Sequence, residues 1–145
     1  MKLTDLAILD WVLINNTPHK IQAIDSIDAE IQADDELYYV GEDRHHSEDK
    51  IEGIPLTPEI LEKNGFYDRN TRGYYKRFGS YVCFDIAISL VYGEIEVSKV
   101  CGAGTDCEEE EYGSSIVFGN DICVHTLHHA LRLCGLDELA DNFKI

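Results

Sequence analysis

Ile27, Ala29, Ile31 and Ala33 alternate with Asp28, Glu30 and Gln32. Successive side chains of a strand point to opposite faces, so this period of two buries one face and wets the other; wound into a helix, the same residues would scatter their apolar set. The neighbouring segments read the same way. Asp10-Trp11-Val12-Leu13-Ile14 is rich in β-formers and stops at the turn signal Asn15-Asn16-Thr17-Pro18. His19 to Asp25 alternates, with Ile21, Ala23 and Ile24 expected toward a core. Leu37 to Val40 is a further short strand before the charged loop Gly41 to Asp49, and Ile51 to Leu56 closes the set. Four or five short strands with tight turns over residues 1–56 predict a small SH3-like β unit.

A helix should follow, because Thr57-Pro58-Glu59 is a start signal with a mechanism. Thr57 can accept from free amides of the first turn, and Pro58 fits the first helical position, where its missing N–H is not needed. Glu59 suits the positive end of the helix dipole. Gly65 tolerates the left-handed backbone that follows a last turn. Ile60, Leu61 and Phe66 form its expected buried face.

Beyond it the period of two returns. Tyr74 to Val100 reads as strands, with Tyr81 to Tyr92 and then Ile95 and Val97 forming a hairpin about Gly93. Ser115 to Phe118 is another strand, ending at Gly119-Asn120. The stretch Gly102 to Gly113 reads as an exposed loop by composition. Val124, Leu127, Leu131 and Cys134 then recur at helical spacing, predicting a helix that Gly135 stops; His125, His128 and Arg132 fall on its other side. Asp137 to Asn142 adds about one turn. The expected fold class is therefore α+β: a small SH3-like β unit over 1–56, then, over 57–145, a short central helix and an antiparallel sheet with a closing helix. The two parts are expected to pack as one protein.

The chain has 145 residues and a formal net charge of −16. Such a charge repels duplex DNA and anionic membranes at long range. It permits a basic protein partner, or mimicry of nucleic acid toward a DNA-binding protein. No segment approaches the ~20 apolar residues needed to span a bilayer, and the opening residues lack the pattern of a signal peptide, so a cytoplasmic location is expected. Cys83, Cys101, Cys107, Cys123 and Cys134 share no tight spacing. Cys83, Cys123 and Cys134 read as small core residues, while Cys101 and Cys107 flank a glycine-rich turn.

Two clusters invite a chemical reading. His125 and His129 stand four apart, the spacing at which two imidazoles on one helical face can share a metal. His-Thr-Leu-His-His lacks the glutamate that a zinc peptidase places between its histidines, and a third ligand would have to come from afar. The acidic run Glu108 to Glu111, with Asp106, lacks the alternating oxygen ligands of a calcium loop. No phosphate loop, serine elbow or Cys–His signature is present. No cofactor, metal or catalytic residue is expected, and the chain reads as a non-enzyme.

Phe66 to Tyr81 is the segment richest in contact chemistry. Arg69, Arg72, Lys76 and Arg77 are interleaved there with Tyr67, Tyr74, Tyr75 and Phe78. Aromatic and arginine side chains are the favoured anchors of protein interfaces, and the same mix suits single-stranded nucleic acid. Arg69, Arg72, Tyr74, Tyr75, Lys76 and Arg77 are thus the candidate interface. Tyr74 and Tyr75 cannot both face the core of one strand.

The strings Ile54-Pro55-Leu56-Thr57-Pro58-Glu59-Ile60-Leu61-Glu62-Lys63-Asn64-Gly65-Phe66 and Val124-His125 with His129-Ala130-Leu131-Arg132-Leu133-Cys134-Gly135-Leu136 resemble those of a widespread group of small proteins from Bacteroides and relatives, often carried by phages and other mobile elements. The resemblance covers about a third of the chain, and residues 67–121 have no counterpart in it. It implies origin and layout and transfers no catalytic residue. The resulting expectation is a non-enzymatic accessory protein of phage or mobile-element origin that binds another protein. The alternatives are a module for single-stranded nucleic acid using residues 66–81, and a histidine-based metal protein or enzyme.

Overall fold

Asn15 and Asn16 both take positive φ, 50° and 69°, which is what a two-residue hairpin needs to match the twist of its strands. They join β1 (Trp11–Ile14) to β2 (Thr17–Asp25). Asp34 and Asp35 do the same, at 51° and 64°, between β3 (Glu30–Ala33) and β4 (Glu36–Tyr39). With β5 (Ile51–Gly53), these strands form an antiparallel sheet in the order β4-β3-β2-β1-β5. This computed structural model describes residues 6–25, 28, 30–40, 49–70, 73–79, 82–101, 111–119 and 122–145, with the backbone alone at 101 and 111–114.

Val12, Ile14, Ile21, Ile31 and Ala33 fill the core of this sheet together with Leu6 and Ile51, and Ile24, Tyr38 and Val40 pack against them. One expectation fails here. Ala23 is exposed, because the register slips between Ile21 and Ala23. A bulge inserts one residue and so reverses the facing of everything beyond it, which turns Ile24 inward instead. Pro18 is tolerated in β2 because β3 pairs only from Ile21 onward, leaving the proline stretch as an edge.

The central helix α1 spans Pro58–Lys63. Thr57 Oγ1 accepts from the Ile60 amide at 3.3 Å. Its end is a Schellman turn: Gly65, at φ 80°, donates to Glu62 O, and Phe66 donates to Leu61 O. The second sheet is built from β6 (Tyr67–Asp68), β7 (Tyr74–Gly79), β8 (Val82–Ser89), β9 (Glu94–Cys101) and β10 (Glu111–Gly119). All neighbours are antiparallel, in the order β10-β9-β8-β7-β6. Helix α2 (Val124–Leu133) closes with the same Schellman pattern at Gly135, and α3 (Asp137–Asp141) follows. The fold is mixed α+β; the described residues form two five-stranded antiparallel sheets and three short helices. No helix among the described residues is long and apolar enough to cross a membrane.

The chain divides into two units, Met1–Pro55 with Cys123–His128, and Leu56–Ile122 with His129–Ile145. The first therefore takes in a late stretch that the alternation of strands and turns placed with residues 57–145. That stretch joins its unit by backbone: Val124 donates to Ile54 O at 2.9 Å, and Cys123 bridges Pro55.

Candidate functional site

Direct cross-strand partners share a face and alternate along each strand, so the registers of the second sheet sort its side chains. Tyr74, Lys76 and Phe78 share one face with Ile86, Ile88, Ile95, Val97, Ile116 and Phe118. Tyr75 and Arg77 share the other with Cys83, Asp85, Glu94, Glu96, Ser98, Ser115 and Val117. Tyr74 is half-buried and Tyr75 is 9% exposed, so the outermost aromatic of the segment is Tyr67, 50% exposed. Arg72 and Tyr81, and the acidic run as far as Glu110, lie outside the described residues.

Three cations of Phe66 to Tyr81, Arg69, Lys76 and Arg77, have partners within the fold. Arg69 stacks on the Tyr75 ring, 3.5 Å from its centroid, and donates to the Tyr67 hydroxyl at 3.2 Å. Lys76 Nζ donates to Asn64 O at 2.9 Å and lies over Phe78; burial pulls its ammonium below the usual lysine range. Arg77 grips Asp85 with two parallel hydrogen bonds, Nε to Oδ1 at 2.6 Å and Nη2 to Oδ2 at 2.9 Å. Burial raises the Asp85 carboxyl, but Arg77 and the Tyr75 hydroxyl outweigh it, and the group titrates below the ordinary carboxylate range. The geometry joins Arg69, Tyr75, Asp85 and Arg77 into one network. Asp85 stands directly opposite Arg77 in the register of β7 and β8, and opposite charges eight residues apart on two facing strands are the signal in the sequence that could have found it.

His125 and His128, expected opposite the apolar stripe of α2, are buried, because the N-terminal half of that helix belongs to the first unit. Cys123 Sγ lies 2.9 Å from His125 Nδ1 and 3.2 Å from Thr126 Oγ1. His128 Nδ1 lies 3.7 Å from Asp10 Oδ1, with neither side chain accessible to solvent. His125 faces Cys123, and His129, one turn further along α2, is half-buried. Among the described residues no three His, Cys, Asp or Glu side chains converge as metal ligands. Burial pushes the Cys123 thiol up, with Thr126 opposing, so the sulfur stays protonated at neutral pH and is a weak nucleophile.

Gly53 makes room for this cluster. A Cβ there would sit 2.7 Å from Cys123 Sγ and 2.9 Å from Cys123 Cβ. Gly53→Ala is expected to push the first turn of α2 off β5 and to cost about 1–3 kcal/mol in urea unfolding, the usual range for overpacking. An unchanged midpoint would show that the turn yields freely.

The outer strand of the second sheet exposes apolar side chains beside open main-chain groups. β10 is an edge, and its successive residues Ile116 and Val117 are 52% and 57% exposed on opposite faces. An edge strand presents a row of open N–H and C=O groups. Natural edges are commonly blunted by lysine or proline, and Ser115 to Gly119 contains neither. Comparisons with protein-family models, curated proteins and solved structures find no match for this chain.

Proposed function

We propose that this is a non-enzymatic accessory protein, of phage or mobile-element origin, that works by binding another protein in the cytoplasm. Its N-terminal unit is read as a small SH3-like barrel. The observation that carries the binding reading is the pair Ile116 and Val117, two β-branched side chains more than half exposed on opposite faces of a sheet edge. An added strand would bury both while pairing with the main chain of the edge. The reading moves the centre of the interface from residues 66–81 to the opposite edge of the same sheet. Arg69, Lys76 and Arg77 are held by Tyr75, Asn64 and Asp85, which argues against their use as a phosphate-binding set for single-stranded nucleic acid.

Affinity capture from the native cells, with and without nuclease and with Ile116→Lys in parallel, tests this. A protein that survives nuclease and is lost from the Ile116→Lys sample is the expected result. Capture that nuclease abolishes would replace the protein partner with nucleic acid.

A further inference from the structure

The two faces of the β10 edge differ in a way that specifies what can pair with it. On the Tyr74 face, the buried row Ile86, Ile88, Ile95 and Val97 runs outward to Ile116 and the half-buried Phe118. An added strand would extend this row only with apolar side chains. On the Tyr75 face, Val117 stands directly opposite Glu96, and Gly119 opposite Glu94; both glutamates are exposed. Among the described residues of β9 and β10 that face bears no cation, since Lys99 points to the other side. An added strand there would lie two strand spacings, about 10 Å, from those carboxylates, within reach of long cationic side chains lying across Val117 and Gly119. From Ser115 to Gly119 the pairing with β9 is regular, so the edge is straight enough to template a ladder.

We propose that β10 takes up, as a sixth strand of the second sheet, an extended segment of a basic protein whose side chains alternate between apolar and cationic. This rests on the protein-binding reading above and names the class of partner. Main-chain hydrogen bonds would supply affinity and the alternating side chains specificity, as in other strand-addition complexes. The net charge of −16 would speed the encounter with such a partner. It also disfavours a second copy of this chain on the same edge, because both copies carry that charge.

The probe is a fluorescein-labelled peptide alternating valine and lysine, about the length of β10. Its control is a peptide of the same composition with all valines preceding all lysines. Binding is read by anisotropy, and the contacted strand by amide hydrogen exchange. The alternating peptide should bind about tenfold more tightly than the block peptide and slow exchange along residues 115–119. Ile116→Lys should lose about tenfold. Changing Glu94 and Glu96 together to glutamine should lose about two- to threefold, from two solvent-exposed charge contacts that reach across β10. All three altered positions are exposed, so the variants are expected to keep the circular dichroism of the parent.

Equal binding of both peptides would overturn the inference, leaving only attraction between net charges. A concentration-dependent dimer abolished by Ile116→Lys would also overturn it, because the edge would then belong to a second copy. Absence of peptide binding, with cellular capture still lost on Ile116→Lys, would overturn the basic-strand inference and leave the protein-binding reading intact.

Discussion

Asp10→Ala is expected to destabilise the first unit by about 1–3 kcal/mol, the cost of leaving a buried donor without its acceptor. Asp10 and His128 have no solvent-accessible side-chain surface and stand 3.7 Å apart. Asp10 Oδ2 also accepts from the Ala7 amide at 2.8 Å, while the Asp10 amide donates to Ala7 O. The carboxylate thus pins a tight turn in which Leu9 is held at φ 73°, a conformation that a branched residue adopts only when its surroundings impose it. Asp10→Asn keeps an acceptor for Ala7 and removes the charge, so it should cost about half as much. Urea unfolding of both variants measures the difference, and a loss below about 1 kcal/mol for Asp10→Ala would show that the pair contributes little.

The second large effect is expected at Asp85. Its removal strands Arg77, whose side chain is only 31% exposed, and takes the acceptor from the Tyr75 hydroxyl. Asp85→Ala should cost about 2–3 kcal/mol, less than for a fully buried pair because Arg77 can still reach water. The pH dependence has a definite sign. The folded carboxyl titrates below its unfolded value, so its stabilisation is complete above the ordinary aspartate range, near pH ~4, and is lost as pH falls through the lower folded value. The stability gap between the parent and Asp85→Asn should therefore be flat from neutral pH to about pH 5 and shrink on further acidification. A gap that widens in acid would contradict the assigned direction.

Much of the local architecture was legible because its causes are local. Thr57 and Pro58 start α1, Gly65 and Gly135 follow helices with positive φ, and Asn15-Asn16 turns a hairpin, each through a preference of its own backbone. Ala23 was misread because a bulge is a property of a pair of strands, invisible in one of them. His125 and His128 looked like the polar side of an amphipathic helix. What buries them is the company of Cys123, Gly53 and Asp10, two of which come from the other end of the first unit's sequence. In the basic-aromatic stretch, Arg77 and Lys76 are partnered by Asp85 and Asn64, which its own composition does not reveal. The β10 edge escaped notice because exposure of Ile116 and Val117 depends on strand order.

The discontinuity of the first unit bears on how the chain acquires structure during synthesis. Residues 1–55 leave the ribosome with their strands in hand but without Cys123–His128. At about 5–20 residues per second, the intervening stretch takes several seconds to appear. Until then Asp10 has no His128 to meet, and the space beside Gly53 has no Cys123 to fill it. The inserted unit, itself still awaiting residues 129–145, emerges in the interval. During synthesis, completion of the first unit therefore waits on translation of residues 123–128.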